Sequence, residues 1–374
     1  MTLKIAILSR TVGAYSTQRL KDACRRRGHA ARVLNTMSFS LLVETGKPAL
    51  FYRDKQLSRY DAVIPRIGAS VSSYGTAIVR QFEQMGIFTL NSAQAIGASR
   101  DKLRALQVLA RHEIGVPPTA FVRDRAGIRA AVEQVGGAPV IIKLIEGSQG
   151  AGVILADTVK GAEAILETLL LSRQSAVVQK FVSESRGRDL RAFVVGDRVV
   201  AAMQRRAAPD EYRSNVHRGG RTANARLGPE LERTAIRAAQ ILGLHVAGVD
   251  LIESKTGPLV LEVNSSPGLE GIESATGVEI AEEIVAHLEK QVLFPDLDVR
   301  QRLTVSSGYG VVELLVAAGS DLCGRALSEV RLRDRDVQVL SVERAAQVLP
   351  NPRGEFVVQD GDRLLCFGRY ETLR

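Results

Sequence analysis

The chain has 374 residues, 45% hydrophobic and 24% charged, the balance of a globular protein long enough for two or three packed modules. No apolar run approaches the roughly 18 residues that span a bilayer, and MTLKIAILSR lacks the core and cleavage site of a signal peptide, so a cytosolic chain with no membrane partner is expected. The net charge of +9 favours a polyanionic partner, but the basic residues form no long tract and have few aromatics among them, so an acidic substrate is expected and direct nucleic-acid readout is not.

Strand and helix alternate from the start. Lys4–Ser9 is an apolar run, Thr17–Arg27 an amphipathic helix closed by Gly28, and Ala30–Leu34 a second strand. Tyr60–Arg66, a helix at Gly75–Met85 and a short strand at Phe88–Asn91 complete a small parallel α/β layer. One helix is expected over Ser99–His112. Thr119–Val122, a helix from Arg125 to Val135, and strands at Val140–Leu144 and Val177–Val182 follow. A hairpin turns at Gly196-Asp197 between Asp189–Val195 and Arg198–Gln204. Helix Pro229–Leu242, strands Ala247–Glu253 and Leu259–Asn264, and helix Glu279–Leu288 close the main body. After the proline-containing joint Phe294–Val299, strands at Val311–Ala317, Val337–Glu343 and Arg363–Phe367 with a helix near Arg325–Leu332 read as a separate α+β module.

Chemistry concentrates in three places. Glu262 and Asn264 are two apart on a strand and share a face. If the hairpin folds about Thr256, Asp250 lies opposite Glu262, and three oxygen donors suit Mg²⁺ or Mn²⁺ completed by water and phosphate. A solvated polar strand face is the competing reading. Lys143 precedes the glycine-rich run Glu146–Gly152, a charge beside backbone N–H groups that suits a polyphosphate, although a plain glycine-rich hairpin has the same pattern. The segment Gln204–Arg221 holds Arg205, Arg206, Arg213, Arg218 and Arg221 with Ser214, Asn215 and His217, which fits anion binding or a mobile solvated loop. Cys24, Cys323 and Cys366 are odd in number and widely spaced, and they show neither a disulfide framework nor a nucleophile–base pairing.

These residues carry a resemblance. KIAILSR, YDAVIPRIG, SRDKLR, GGAPVIIKLIEGSQGAGV, RSNVHRGG and AGVDLIESKTGPLVLEVNSSPGLEGIE, within about residues 3–293, resemble the RimK-type ATP-grasp ligases, which transfer glutamate to the C-terminus of a small-subunit ribosomal protein. The resemblance implies an ATP-grasp fold with an N-terminal parallel α/β subdomain, divided as 1–95, 96–182 and 183–293. It implies ATP as co-substrate and Mg²⁺ or Mn²⁺, as two ions. Lys102 and Lys143 match the phosphate-binding lysines, Lys180 and Phe181 the adenine hinge, and Asp189 the residue near the ribose. Family members usually have an acidic residue where Lys180 stands. Arg213, Ser214 and Asn215 match the loop at the reacting phosphate, Arg213 being the candidate for stabilising the phosphoryl oxygens and the oxyanion. Asp250, Glu262 and Asn264 match the metal ligands, and Arg66 and Arg205 are candidate substrate contacts.

Beyond a linker at 294–303, residues 304–374 carry GSDLCGRALSE and GDRLLCFG and resemble the C-terminal domain of TrkA-type potassium-uptake regulators, a sensing and dimerising unit. A regulated homo-oligomer is the expectation. The implied partners are L-glutamate and an acidic protein C-terminus, with a ribosomal protein favoured. The same chemistry on a small-molecule carboxylate or on free polyglutamate, and a non-catalytic nucleotide-binding regulator, stay open.

Overall fold

A computed structural model of the chain describes residues 2–145, 152–208, 211, 220–293, 309–345 and 347–369. The glycine-rich loop, the linker at 294–303, and Arg213, Ser214, Asn215, His217 and Arg218 lie outside the described residues. The chain divides into two compact units, Met1–Pro295 and Asp296–Arg374.

The first unit opens with β1 (Lys4–Ser9), α1 (Tyr15–Arg26) and β2 (Ala30–Leu34). A small antiparallel sheet of β3 (Phe39–Leu42), β4 (Ala49–Tyr52) and β5 (Lys55–Gln56) comes next, which the sequence reading did not contain. Then follow β6 (Ala62–Arg66), α2 (Ser72–Gln84) and β7 (Phe88–Thr89). The order β2-β1-β6-β7 is parallel throughout, as expected. Ile5 to Leu8 of β1 are all fully buried, because a central parallel strand is covered on both faces.

The helix expected over Ser99–His112 is two helices, α3 (Ala93–Arg100) and α4 (Lys102–Arg111). Asp101 breaks the run, since its backbone is extended and its carboxylate accepts from Arg104 N at 3.0 Å as the N-cap of α4. The break matters, for it places Arg100 at the end of one helix and Lys102 at the start of the next. Strands β8 (Thr119–Phe121), β9 (Val140–Leu144), β10 (Val153–Ala156) and β11 (Ala176–Lys180), with α5 (Ile128–Gln134) and α6 (Val159–Leu171), form the central layer. Its sheet is antiparallel in the order β10-β9-β11-β8 and has its own core of Val122, Ile128, Val132, Val140, Ile142, Leu166 and Val178. β10 and α6 were missed in the sequence.

The third layer is the antiparallel sheet β14-β13-β12-β15-β16, built from β12 (Arg188–Val195), β13 (Arg198–Arg206), β14 (Arg221–Asn224), β15 (Val246–Ser254) and β16 (Gly257–Asn264). Helices α7 (Pro229–Ile241), α8 (Glu270–Thr276) and α9 (Ile280–Leu293) cover it, α8 being absent from the sequence reading. Gly196 at the β12–β13 turn has φ +63°, and a Cβ there would lie 2.8 Å from the His287 ring, so only glycine fits.

The N-terminal and third layers share one core: Ile5, Ile7 and Leu20 pack with Phe193, Val195, Ile272 and Ile284. Asn91, 2% exposed, fastens the two. Its Nδ2 donates to the carbonyls of Val246 (2.8 Å) and Ser265 (2.9 Å), and its Oδ1 accepts from His245 N (2.9 Å) and Val246 N (3.1 Å). An arginine–glutamate seam runs outside this core, with Arg19 on Glu273 (2.8 Å), Arg26 on Glu282 (2.6 Å) and Arg27 on Glu289 (2.7 Å). Such partly exposed pairs contribute little each; burial and Asn91 hold the layers.

The second unit is a four-stranded antiparallel sheet, β17 (Tyr309–Leu315), β20 (Arg363–Arg369), β18 (Gln338–Arg344) and β19 (Gln347–Pro350) in spatial order, with α10 (Leu327–Val330). Val316, Val337, Val342, Val358, Leu364 and Cys366 are its core. Asp362, fully buried, accepts from Arg344 Nε and Nη2 (both 2.7 Å) and from Gln359 N (2.8 Å). The Arg344 guanidinium holds its carboxyl below the usual aspartate range. Among the described residues no helix is long and apolar enough to cross a membrane.

Two outcomes follow. Asn91→Ala should cost at least about 3 kcal/mol in urea unfolding, because up to four buried polar groups lose their partner. Asp362 stabilises the fold above its unfolded pKa of about 4, and that contribution is lost as pH falls through its lower folded value. Protection of the described amides of 309–369 against hydrogen exchange, relative to their intrinsic rates, should therefore fall below about pH 4, and Asp362→Asn should be weakly protected at every pH.

Candidate nucleotide and metal site

The β15–β16 hairpin turns at Lys255-Thr256, and the pairs Ser254↔Gly257, Glu253↔Pro258 and Leu251↔Val260 are in simple register. That register alone would set Asp250 opposite Leu261. A β-bulge between Asp250 and Leu251 absorbs Leu261 and restores the pair Asp250↔Glu262. The opposition expected from the sequence is thus present, reached by a bulge and not by a turn centred on Thr256. Beyond Val249↔Val263, Gly248↔Asn264 is the next pair on the same face, and a Cβ on Gly248 would lie 2.8 Å from Pro267 Cβ, so glycine lets the Asn264–Pro267 turn close over β15.

Asp250 is 6% exposed and held by two arginines. Arg191 on β12 donates from Nε to Oδ1 and from Nη2 to Oδ2, both at 2.7 Å. Arg205 on β13 donates from Nη2 to Asp250 Oδ2 at 2.8 Å, and from Nε and Nη2 to Asp189 at 2.5 and 2.8 Å. Burial opposes ionisation of Asp250, but the two guanidiniums outweigh it and hold the carboxyl down at about 2. Asp189, expected near a ribose, and Arg205, expected at a substrate, are therefore both buried in this ion network. Arg191 was not singled out in the sequence; its position two residues after Asp189, on the same strand face, was the available signal.

Glu262 is exposed and Asn264 half-buried. Two lysines face Glu262: Lys143 at the end of β9, and Lys102, whose Nζ donates to the Leu144 carbonyl at 3.0 Å. Burial pushes the Lys143 ammonium down to about 8, against the pull of Glu262 and with the help of Lys102. Burial lowers Lys102 likewise. Lysines disfavoured as cations in the free protein gain most from an anion that restores their charge. Lys180 at the end of β11 is exposed and Phe181 half-buried, with Lys180 N donating to the Pro118 carbonyl at 2.9 Å.

The donor set fits a hard divalent cation. Oδ2 of Asp250 takes one N–H from each arginine, while Oδ1 takes one N–H and keeps a lone pair. Glu262 adds a carboxylate, and Asn264 commits its Nδ2 to the Gly248 carbonyl (3.4 Å), leaving the amide oxygen as the ligating atom. Just beyond, the hydroxyls of Ser265 and Ser266 are buried without a partner. Among the described residues no three His, Cys, Asp or Glu side chains form a closed cage. Two carboxylates and an amide are what an ion sharing phosphate and water ligands requires.

The two carboxylates differ in what they hold. Glu262→Gln should leave the unfolding free energy in urea within about 0.5 kcal/mol of the wild type. Asp250→Asn strands Arg191 and should cost about 3 kcal/mol.

Comparison with known proteins agrees with this geometry. Residues 3–96 match the RimK PreATP-grasp domain, 99–288 the RimK-like ATP-grasp domain and 311–373 the TrkA-C domain. A Rhodopirellula baltica protein named a probable alpha-L-glutamate ligase is 58% identical over 372 residues, covering 100% of this chain and 92% of that one. A Hahella chejuensis protein, probable alpha-L-glutamate ligase 1, is 53% identical over 289 residues, 77% of this chain and 95% of that one. Among solved structures, the ATP-grasp ligase PsnB with a phosphomimetic variant of its minimal precursor, Mg and ADP superposes with a TM-score of 0.61 at 23% identity, covering 78% of this chain and 99% of that one. A RimK domain ATP-grasp protein from Sphaerobacter thermophilus gives 0.58 at 23% identity over 76% and 99%. With the three layers, the opposed carboxylates and the facing lysines in place, the chain belongs to the RimK-like ATP-grasp family and is an ATP-dependent ligase carrying a TrkA-C domain.

Proposed function

We propose that this ligase uses ATP to join the amino group of L-glutamate to the C-terminal carboxylate of an acidic protein, a small-subunit ribosomal protein being the favoured acceptor. The observation that carries this reading is the bulge-set pair Asp250–Glu262, with Lys102 and Lys143 in the field of Glu262. The glutamate ligase names of the relatives and the +9 charge support the choice of acidic substrates.

Lys102 and Lys143 bind the polyphosphate, and the backbone at Lys180 and Phe181 receives the adenine. Asp250, Glu262 and Asn264 would hold Mg²⁺ or Mn²⁺, as two ions, which neutralise charge developing on the transferred phosphoryl group. An acceptor carboxylate oxygen attacks the γ-phosphorus and ADP leaves, giving an acyl phosphate. The glutamate amine, having given up a proton, then attacks the acyl carbon, and phosphate leaves with its bonding electrons. Arg213, Ser214 and Asn215 are retained as the groups that meet the reacting phosphate. Arg191 and Arg205 keep Asp250 ionised and in place. The TrkA-C domain is assigned a regulatory or oligomerising part.

Incubation with ATP, Mg²⁺, L-glutamate and the candidate ribosomal protein, followed by intact-mass spectrometry, tests this. Stepwise gains of glutamyl residues on the protein are expected, together with ADP. Glutamate oligomers without protein modification would move the acceptor to free polyglutamate, and no ADP at all would sink the ligase reading. A chain ending at Leu293 should retain the chemistry and differ in regulation or assembled size; identity in both would remove the role given to the second unit.

A further inference from the structure

The carboxyl edge of the N-terminal sheet carries two arginines that no carboxylate among the described residues grips. β6 ends at Arg66, opposite Ser9 at the end of β1, and the crevice beyond such strand ends is where open parallel sheets receive ligands. Arg100, the last residue of α3, comes to the same edge, and its Nη2 donates to the carbonyl of Ile67, the residue after Arg66. Its Nε is buried with no hydrogen-bond partner. Neither side chain is exposed. Burial, with the Arg100 charge adding to it, lowers the Arg66 guanidinium to about 10, and no described carboxylate offsets either effect. Burial also lowers Arg100, with only the field of Glu262 against it.

The structural arginines of this fold look different. Arg191, Arg205 and Arg344 each grip a buried aspartate with two nitrogens. A buried cation pair lacking that partner is destabilising by itself, and strain of this kind concentrates where a ligand relieves it. Glu262 acts on Arg100, Lys102 and Lys143 alike, so the pair borders the phosphoryl-transfer site on its N-terminal side.

We propose that Arg66 and Arg100 form the subsite for a carboxylate of the incoming L-glutamate, orienting its amine toward the activated acceptor. This rests on the ligase reading above. The lysines already serve the polyphosphate. A polypeptide acceptor can be held along its length on open surface, whereas a free amino acid needs a more sheltered anchor, and these two side chains are half-buried. Two forks suit a carboxylate. The site has a second signature: it is maintained at the expense of stability, so removing a charge helps the free protein while harming catalysis.

The test uses the full chain with Arg66→Met, Arg66→Lys and Arg100→Gln. Steady-state ADP release is followed as glutamate, acceptor and ATP are varied in turn, and each free protein is melted. For Arg66→Met, KM for L-glutamate should rise about tenfold or more, the loss of a charged hydrogen bond, with KM for ATP and for the acceptor unchanged. Its Tm should equal or exceed that of the wild type, and Arg66→Lys should recover part of the glutamate affinity. An active wild type whose variants keep the glutamate KM overturns the assignment alone. So does a rise confined to the acceptor or ATP KM, or a lowered Tm with uniformly reduced kcat. A wild type that releases no ADP with glutamate overturns the ligase reading, and the assignment with it.

Discussion

A carboxylate can be buried in the middle of a β-sheet only if cations come with it. Asp250 is that carboxylate. Arg191 reaches it from the adjoining strand β12 and Arg205 from β13 beyond, and Asp189 balances the second guanidinium, so charges alternate across three strands of one sheet face. The arrangement needs every strand in register, since a slip of one residue would turn an arginine into the opposite core. Ala192 and Val194 fill that opposite face, packed on α7 residues Ala235, Ala238 and Ala239. The bulge at Leu261 then lets the fourth strand join without disturbing the other three, and it brings Glu262 and Asn264 onto the polar face.

Function and stability divide along this line. The paired arginines neutralise the buried Asp250 carboxylate and hold it in place. The lysines and the pair Arg66 and Arg100 are cations lowered by burial, and Glu262 is the carboxylate that acts on Lys102, Lys143 and Arg100. Their supports differ too. Lys143 stands on the central sheet with its independent core, whereas Arg66 stands on the N-terminal sheet that shares a core with β12 and β13. Asn91 joins the two sides chemically, for its four hydrogen bonds tie the end of the N-terminal layer to β15 and to the residue after Asn264.

The second unit repeats the same physical solution at smaller scale. Its core is a handful of valines, leucine and cysteine, and one fully buried aspartate is neutralised by one arginine from the adjoining strand. A small sheet with so few apolar residues depends heavily on that pair.

The sequence by itself determined which elements carry the candidate site residues and which way their strands face them. Lys143, Asp250, Glu262 and Asn264 were legible because strand periodicity sets the facing of side chains and because oxygen donors in apolar strands demand a reason. The parallel layer was legible because strand and helix alternate with glycine stops. Short or cap-defined elements were not: α6 and α8 escaped, and the break at Asp101 reads as an ordinary helical residue until its carboxylate is seen capping α4. Only the tertiary structure decided the pairings. That Asp250 meets Arg191, that Arg205 serves Asp189 and Asp250, and that Arg66 and Arg100 stand together with no described carboxylate gripping them follow from contacts across 16 to 59 residues of chain. No local pattern specifies those, because they are set by register between strands and by which layers share a core.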